Sequence, residues 1–421
     1  MKSYLQELFI DYAKVNTRSD NTKRNLIPTT PNQKLLAQKI VAELKKIGID
    51  NAYYNEKSGF AIGHLAKNTS AEVTGLGFVA HLDTADHPAE NITPQIYSNY
   101  NGGKVWLSRT PEIILDPNEF PALKELQGQT LITSDGTTLL GTDDKAGIVA
   151  ILGALRYFKQ HPQIEHGDIY VGFGPDEEIG LGGQRFASKD FNVEFAYTLD
   201  NGQPGELQYE TFNASEVEIL IEGTSVHPGN AYGLLVNAIT LGQQFLAQLP
   251  QDEVPEKTRG YEGFIMATNA TLNINEAKIN LIIRDFDKDK FQAKEQLIKK
   301  LVAKFNEKLD RPRFKLKIFL QYENIANTLK KHPYAVNLAL DAYQRLGLTP
   351  QITPFRGGTD GNFLTAKGIP TLNLFNGGGN YHGPYEYVTA EQLVLTARTV
   401  IAIVEEHMYQ TKFGRNEQSL T

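Results

Sequence analysis

The chain has no cysteine. That excludes disulfides, thiolate nucleophiles and cysteine-held metals, so any metal must be held by His, Asp and Glu. Such an N/O donor set suits Zn²⁺, Mn²⁺ or Co²⁺. Long apolar runs are also missing. The longest, such as Gly147–Leu155, falls far short of the ~18 residues needed to span a bilayer. The first residues, MKSYLQELFIDYAKVNTRSD, hold no signal-peptide core. The expectation is a cytoplasmic protein with no membrane partner. No basic block is present, and a net charge of −7 is spread along the chain, which argues against a nucleic-acid partner.

What is there is an ordinary globular composition, 41% apolar and 22% charged, over 421 residues. That length predicts more than one domain. Two helices open the chain. Tyr4–Val15 has apolar residues at helical spacing, and Thr29-Thr30-Pro31 starts a second helix that Gly48 ends. Short, mostly apolar runs at 74–80, 168–174, 194–199 and 370–375 read as buried strands. They alternate with helical patterns at 145–160, 335–346 and 391–407, which predicts an α/β fold with a mostly parallel sheet flanked by helices. Residues 215–222 and 278–285 instead alternate with period two, and amphipathic helices are expected at 234–249 and 289–309. That pattern predicts a smaller inserted α+β domain at 209–325, between catalytic-domain parts at 1–208 and 326–421. The polar stretch 86–128 reads as a lid or Ω-like insertion.

Four of the apolar runs end in polar clusters. His81 and Asp83 follow the first, Glu177 and Glu178 the second, Asp200 the third, and Asn380 and His382 the fourth. Asp143 and Asp144 stand at a helix start. In open α/β sheets, ligands bind beyond the carboxyl ends of the strands. Each residue alone has an ordinary reading, as helix cap, turn or solvated loop end. Together they crowd carboxylates that repel unless a cation neutralises them. Two adjacent divalent ions need one bridging carboxylate and about two further ligands each, which this set can supply.

Seven segments now form a recognisable set: HLDT at 81–84, LLGTDDKAG at 139–147, GPDEEIG at 174–180, YTLDNG at 197–202, EGTSVHPGNA at 222–231, FRGGTDG at 355–361 and NYHGPYEYV at 380–388. With the opening IPTTPNQ, the chain resembles the tripeptide aminopeptidases of the M20 metallopeptidase family nearly end to end. The resemblance implies a two-metal hydrolase releasing the N-terminal residue of short peptides. It makes Asp143 the bridging carboxylate, His81 and Asp200 ligands of one ion, and Glu178 and His382 ligands of the other. Asp83 would orient His81, Glu177 would be the general base, and His227 would stabilise the oxyanion. It also implies a cis peptide between Asp143 and Asp144, and in some relatives a homodimer through the inserted domain. Asn201 departs from the family pattern, where Gly is expected.

The remaining site residues come from chemistry. Arg284 ends a strand and Arg356 precedes a Gly-Gly turn, and either can clamp a substrate carboxylate. Asn380 and the glycines at 377–379 would shape the peptide-binding floor, since they do not match a phosphate loop. Other M20 hydrolases, namely dipeptidases, carboxypeptidases and N-acyl amino-acid deacylases, share the metal set. A metal-dependent scaffold lacking enzymatic activity is the reading that loss of Glu177 would have favoured.

Overall fold

The computed structural model describes every residue except Asn201 and Thr421, so the departure at Asn201 lies outside the described residues. The chain forms two compact units. The first comprises Met1–Tyr209, Ile325–Thr353 and Thr359–Thr421; the second comprises Glu210–Asn324 and Pro354–Gly358.

The first unit is built on an eight-stranded sheet. Its order is Tyr53–Tyr54, Ala61–Leu65, Ile169–Gly174, Leu76–His81, Phe195–Leu199, Thr371–Leu374, Glu206–Gln208 and Gln351–Ile352. The four central strands run parallel: Leu76–His81 pairs with both Ile169–Gly174 and Phe195–Leu199, and Thr371–Leu374 joins the latter. Their carboxyl ends therefore lie along one edge, and these are the strands that the polar clusters follow. All six residues of Leu76–His81 are buried, because both sheet faces are covered. On one face, helices Lys2–Ala13, Thr142–Gln160, Pro333–Arg345 and Ala390–Phe413 pack into the largest core, with Leu5, Phe9, Leu152, Tyr343 and Val400 among its members. On the other, Phe60, Val79, Phe186, Phe191 and Leu364 form a second cluster.

Local signals explain the helix ends. Helix Pro31–Ile47 has Pro at its first turn and stops at Gly48, whose φ of 101° suits a residue without Cβ. Thr30 is its N-cap residue, but its hydroxyl donates to Arg18 O instead of capping. Helix Ala390–Phe413 starts with a full capping box, Thr389 with Gln392. Residues 86–128 differ from the lid expectation. They contain strand Gln95–Tyr97, the paired strands Val105–Arg109 and Glu112–Leu115, and a 3₁₀ turn at Pro121–Leu126. Tyr100, Leu107, Leu115, Leu123 and Leu126 pack with Leu131 and Tyr387 in a small core, and Gln95–Tyr97 pairs with Leu131–Thr133, so the segment is ordered structure within the first unit. Its residues are too dispersed in sequence to read as strands by period.

The second unit is a four-stranded antiparallel sheet in the order Phe264–Leu272, Glu276–Asp285, Asn213–Glu222, Phe314–Tyr322. Strand Asn213–Glu222 alternates strictly from Ser215 onward, and its inward residues Val217, Ile219 and Ile221 pack with helices Ala238–Leu246 and Lys288–Glu307. One assignment changes. Pro354–Gly358, read from sequence as part of the first domain, belongs to this unit. Phe355 N donates to Glu210 O at 2.9 Å and Phe212 N to Gly357 O at 3.2 Å, so main-chain bonding holds it there. Among the described residues, no helix is long and apolar enough to cross a membrane.

Candidate metal centre

The parallel edge of the first unit gathers the sequence-selected carboxylates and histidines. His81 closes its strand. Its Nδ1 lies 3.0 Å from the main-chain oxygen of Asp83 and 3.4 Å from that residue's carboxylate. A carbonyl only accepts, so Nδ1 carries a hydrogen, and Nε2 faces Asp143 Oδ1, 3.0 Å away. The other oxygen of Asp143, Oδ2, lies 3.1 Å from His382 Nε2. Asp143 thus faces two histidines with two oxygens. Glu178 Oε1 sits 3.2 Å from His382 Nε2, and Asp200 Oδ1 sits 3.9 Å from His81 Nε2. The peptide bond between Asp143 and Asp144 is cis.

Two donor groups emerge: His81 with Glu177 and Asp200, and His81 with Asp143 and Glu178. In each, the donor atoms lie within 4.8 Å of one another. Two ligand atoms each ~2.0–2.1 Å from a tetrahedral ion lie roughly 3.3 Å apart, so this spacing fits a metal. The electrostatics fit as well. Burial and neighbouring negative charge push the carboxyls of Glu177, Asp200 and Asp144 well above their usual range. Burial opposes a proton on His81, yet hydrogen bonding to Asp143 and Asp83 raises it well above the ordinary imidazole value. The carboxylates of Asp143 and Glu178, which face its Nε2–H, push His382 up to about 11. Glu178 Oε1 is buried and has no well-directed hydrogen bond among the described residues. Crowded anions with an unsatisfied oxygen are what a divalent cation neutralises.

Backbone geometry sets these positions. Asp83 is fully buried, and its two oxygens accept from Glu177 N at 2.9 Å and Glu178 N at 3.1 Å. It therefore orients the Glu177–Glu178 loop as well as His81. Asp143 and Asp144 open helix Thr142–Gln160 with non-helical angles. Asp144 accepts from Asn376 Nδ2 at 3.1 Å, and from the amides of His81 and Gly147. The glycines after Asn376 permit a close approach: a Cβ on Gly378 would fall 2.1 Å from Thr142 Cγ2. Asn380 (φ 55°) and His382 (φ 65°) both take the left-handed conformation. Asn380 Nδ2 is buried with no partner among the described residues.

Three of the selected residues lie in the second unit. His227 is exposed in the turn before Pro228–Asn230, where its Nδ1 accepts from Gly229 N at 3.1 Å. That leaves Nε2 carrying the hydrogen as a donor. Arg284 donates to Ser215 O and Ile283 O, and lies over the Tyr322 ring. Arg356 donates to Gly260 O, Glu262 O and Thr258 Oγ1, and lies over Phe212. Neither guanidinium has a carboxylate partner among the described residues.

Sequence reasoning missed Asp176. It is fully buried at φ 62° and accepts from Thr29 N at 3.0 Å and Gln33 Nε2 at 2.7 Å, with Arg185 as its ion-pair partner. These bonds tie the loop carrying Glu177 and Glu178 to the start of helix Pro31–Ile47. Both ends sit in noted motifs, PDEE and TTPNQ, but nothing in sequence connects residues 147 apart.

Histidines and acids gathered at the carboxyl edge of a parallel sheet define a class: metal-dependent hydrolases. Comparison with known proteins narrows it. The peptidase family M20/M25/M40 matches residues 133–406. Peptidase T of Fusobacterium nucleatum is 46% identical over 403 residues, covering 96% of this chain and 97% of that protein. The crystal structure of an aminopeptidase PepT from Bacillus cereus superimposes with a TM-score of 0.74 at 21% identity, covering 97% of this chain and 99% of that one. A Bacillus subtilis protein described as a dinuclear metal-binding peptidase of the M20 family gives 0.66 at 15% identity, covering 96% and 98%. The chain belongs to the M20 metallopeptidase family, with peptidase T relatives matched over nearly their full length.

Proposed function

We propose that this protein is a tripeptide aminopeptidase with two divalent ions, Zn²⁺ foremost and Co²⁺ or Mn²⁺ as alternatives. Asp143 would bridge them, with His81 and Asp200 on one ion and Glu178 and His382 on the other. The observation that carries this reading is the placement of the two oxygens of Asp143 between His81 and His382. The near full-length likeness to peptidase T supports the tripeptide substrate.

Divalent ions in such a site supply Lewis acidity, polarising a peptide carbonyl and acidifying water. The chain's own residues do the rest. Glu177 takes the proton of the attacking water on its carboxylate and returns it to the leaving amine. Burial among carboxylates raises its proton affinity, as a base of this kind needs. Asp83 holds the Glu177 amide and so fixes where that carboxylate starts. His227 Nε2 is assigned the oxyanion contact. Arg284 and Arg356, free of protein carboxylates, are assigned to the substrate's C-terminal carboxylate, and Asn380 to the peptide backbone. A cytoplasmic location and a homodimer through the second unit complete the reading; light scattering tests the dimer.

The deciding experiment is a hydrolysis panel of one tripeptide in free, N-acetylated and C-amidated forms. Release of the first residue is expected from the free form and not from the N-acetylated one. Turnover of the N-acetylated peptide would replace this reading with a deacylase or carboxypeptidase of the same family.

A further inference from the structure

Glu386 lies outside the metal-ligand set, yet it is 1% exposed. Its Oε2 accepts from three successive main-chain amides: Leu140 N at 2.8 Å, Gly141 N at 2.5 Å and Thr142 N at 3.4 Å. Its Oε1 accepts from His382 N at 3.1 Å. Among the described residues, no Lys, Arg or His comes within ion-pair distance of this carboxylate. Backbone amides supply its hydrogen bonds, as in an anion-binding nest, and the buried Lys145 ammonium acts on it through charge alone. The three amides immediately precede Asp143, and the fourth belongs to His382. One side chain therefore holds the two segments whose carboxylate and imidazole approach within 3.1 Å.

The surrounding chain is built to keep Glu386 there. Gly379 N donates to Tyr387 O at 2.9 Å and Tyr387 N to Gly379 O at 3.1 Å, closing the loop 380–386 at its base. Tyr387 begins strand Tyr387–Thr389, paired with Leu131–Thr133. Gly141, with φ 80°, turns the chain so that three consecutive N–H groups point at one oxygen. His382 is left-handed at φ 65°, a conformation costly for a non-glycine residue, and its N–H donates to Glu386.

We propose that Glu386 is a positioning residue, one carboxylate that sets the separation of Asp143 from His382 and thereby builds the metal position they share. This rests on the ligand assignment above. The charge is essential, because a carboxylate presents an acceptor on both sides while an amide presents only one. In Glu386→Gln, the amide oxygen can keep the three-amide side, but its NH₂ then faces the N–H of His382, donor against donor. The ion using His382 should suffer and the other should not.

The test is Zn²⁺ binding to the metal-free protein, by competition with a chromophoric chelator, for wild type and for E386Q. Wild type is expected to bind two equivalents. E386Q is expected to bind one with unchanged affinity and the second about 10–100-fold more weakly, as outer partners of ligands typically cost. Added Zn²⁺ should then restore most of kcat with KM little changed. Glu386→Asp retains charge on a shorter arm and should fall between them, which covers the case of a glutamine variant that does not fold. Wild-type affinity at both positions in E386Q, or equal weakening at both, overturns the positioning role and leaves the metal reading intact. A wild type that binds fewer than two equivalents overturns the metal reading itself.

Discussion

The two sheets of this protein have different uses for their strands. In the first unit, four central strands are parallel and buried on both faces, so all their carboxyl ends open on one edge. Every metal-ligating candidate follows such an end or packs beside it. In the second unit the strands are antiparallel, so strand ends of both kinds alternate along each edge. It presents single donors, His227, Arg284 and Arg356, each bonded to main chain. Parallel topology concentrates charge, and antiparallel topology spaces out individual hydrogen-bonding groups. This contrast predicts that substitutions in the first unit act on metal and chemistry, while those in the second act on substrate and transition state.

The largest effect should come from Asp143→Ala. Removing the carboxylate between His81 and His382 should abolish binding of both ions, measured by chelator competition, and with it all detectable turnover. Retention of two tight equivalents would end the bridging assignment. Glu177→Gln should keep both ions while lowering kcat about 10²–10⁴-fold, the usual contribution of a general base. His227→Ala sharpens the comparison from the other side. We expect kcat lower by about 10²–10³-fold, with metal content untouched, as for loss of one oxyanion donor. Arg356→Ala should mainly raise KM for free tripeptides, about 10–100-fold, as expected for ~1.5–3 kcal/mol in a charged hydrogen bond. It should barely affect C-amidated ones. The smallest effect on activity should follow Leu281→Ala, which truncates a fully buried side chain of the second sheet. It should cost about 2–5 kcal/mol in urea unfolding while metal stoichiometry stays the same.

Much of this was legible in the chain. The apolar runs marked the four central strands within about two residues, because burial on both faces leaves little choice of side chain. Strict alternation at 215–222 marked the other sheet, because burial on one face alone selects every second side chain. Where selection by burial weakens, reading failed. The segment 86–128 packs a small core from scattered Tyr and Leu residues and showed no period. Arg356 was chosen as a donor, but its membership in the second unit depends on main-chain bonds to Glu210 and Phe212 that no residue type announces.

The sequence alone determined the kinds of ligand atom, through the absence of cysteine, and the placement of His81, Glu177, Glu178 and Asp200 at strand ends, through patterns a few residues long. Only the tertiary structure decided that Asp143 faces two histidines, that Asp176 anchors the glutamate loop to Thr29 and Gln33, and that Glu386 joins the segments of Asp143 and His382. The physical reason is common to the last two. Each is a buried carboxylate whose partners come largely from segments far off in sequence: backbone N–H groups for Glu386, which every residue except proline carries, and for Asp176 the Thr29 N–H with the side chains of Thr29, Gln33 and Arg185. Which amides point at an oxygen is a matter of how distant chain segments fold, not of what residues they contain.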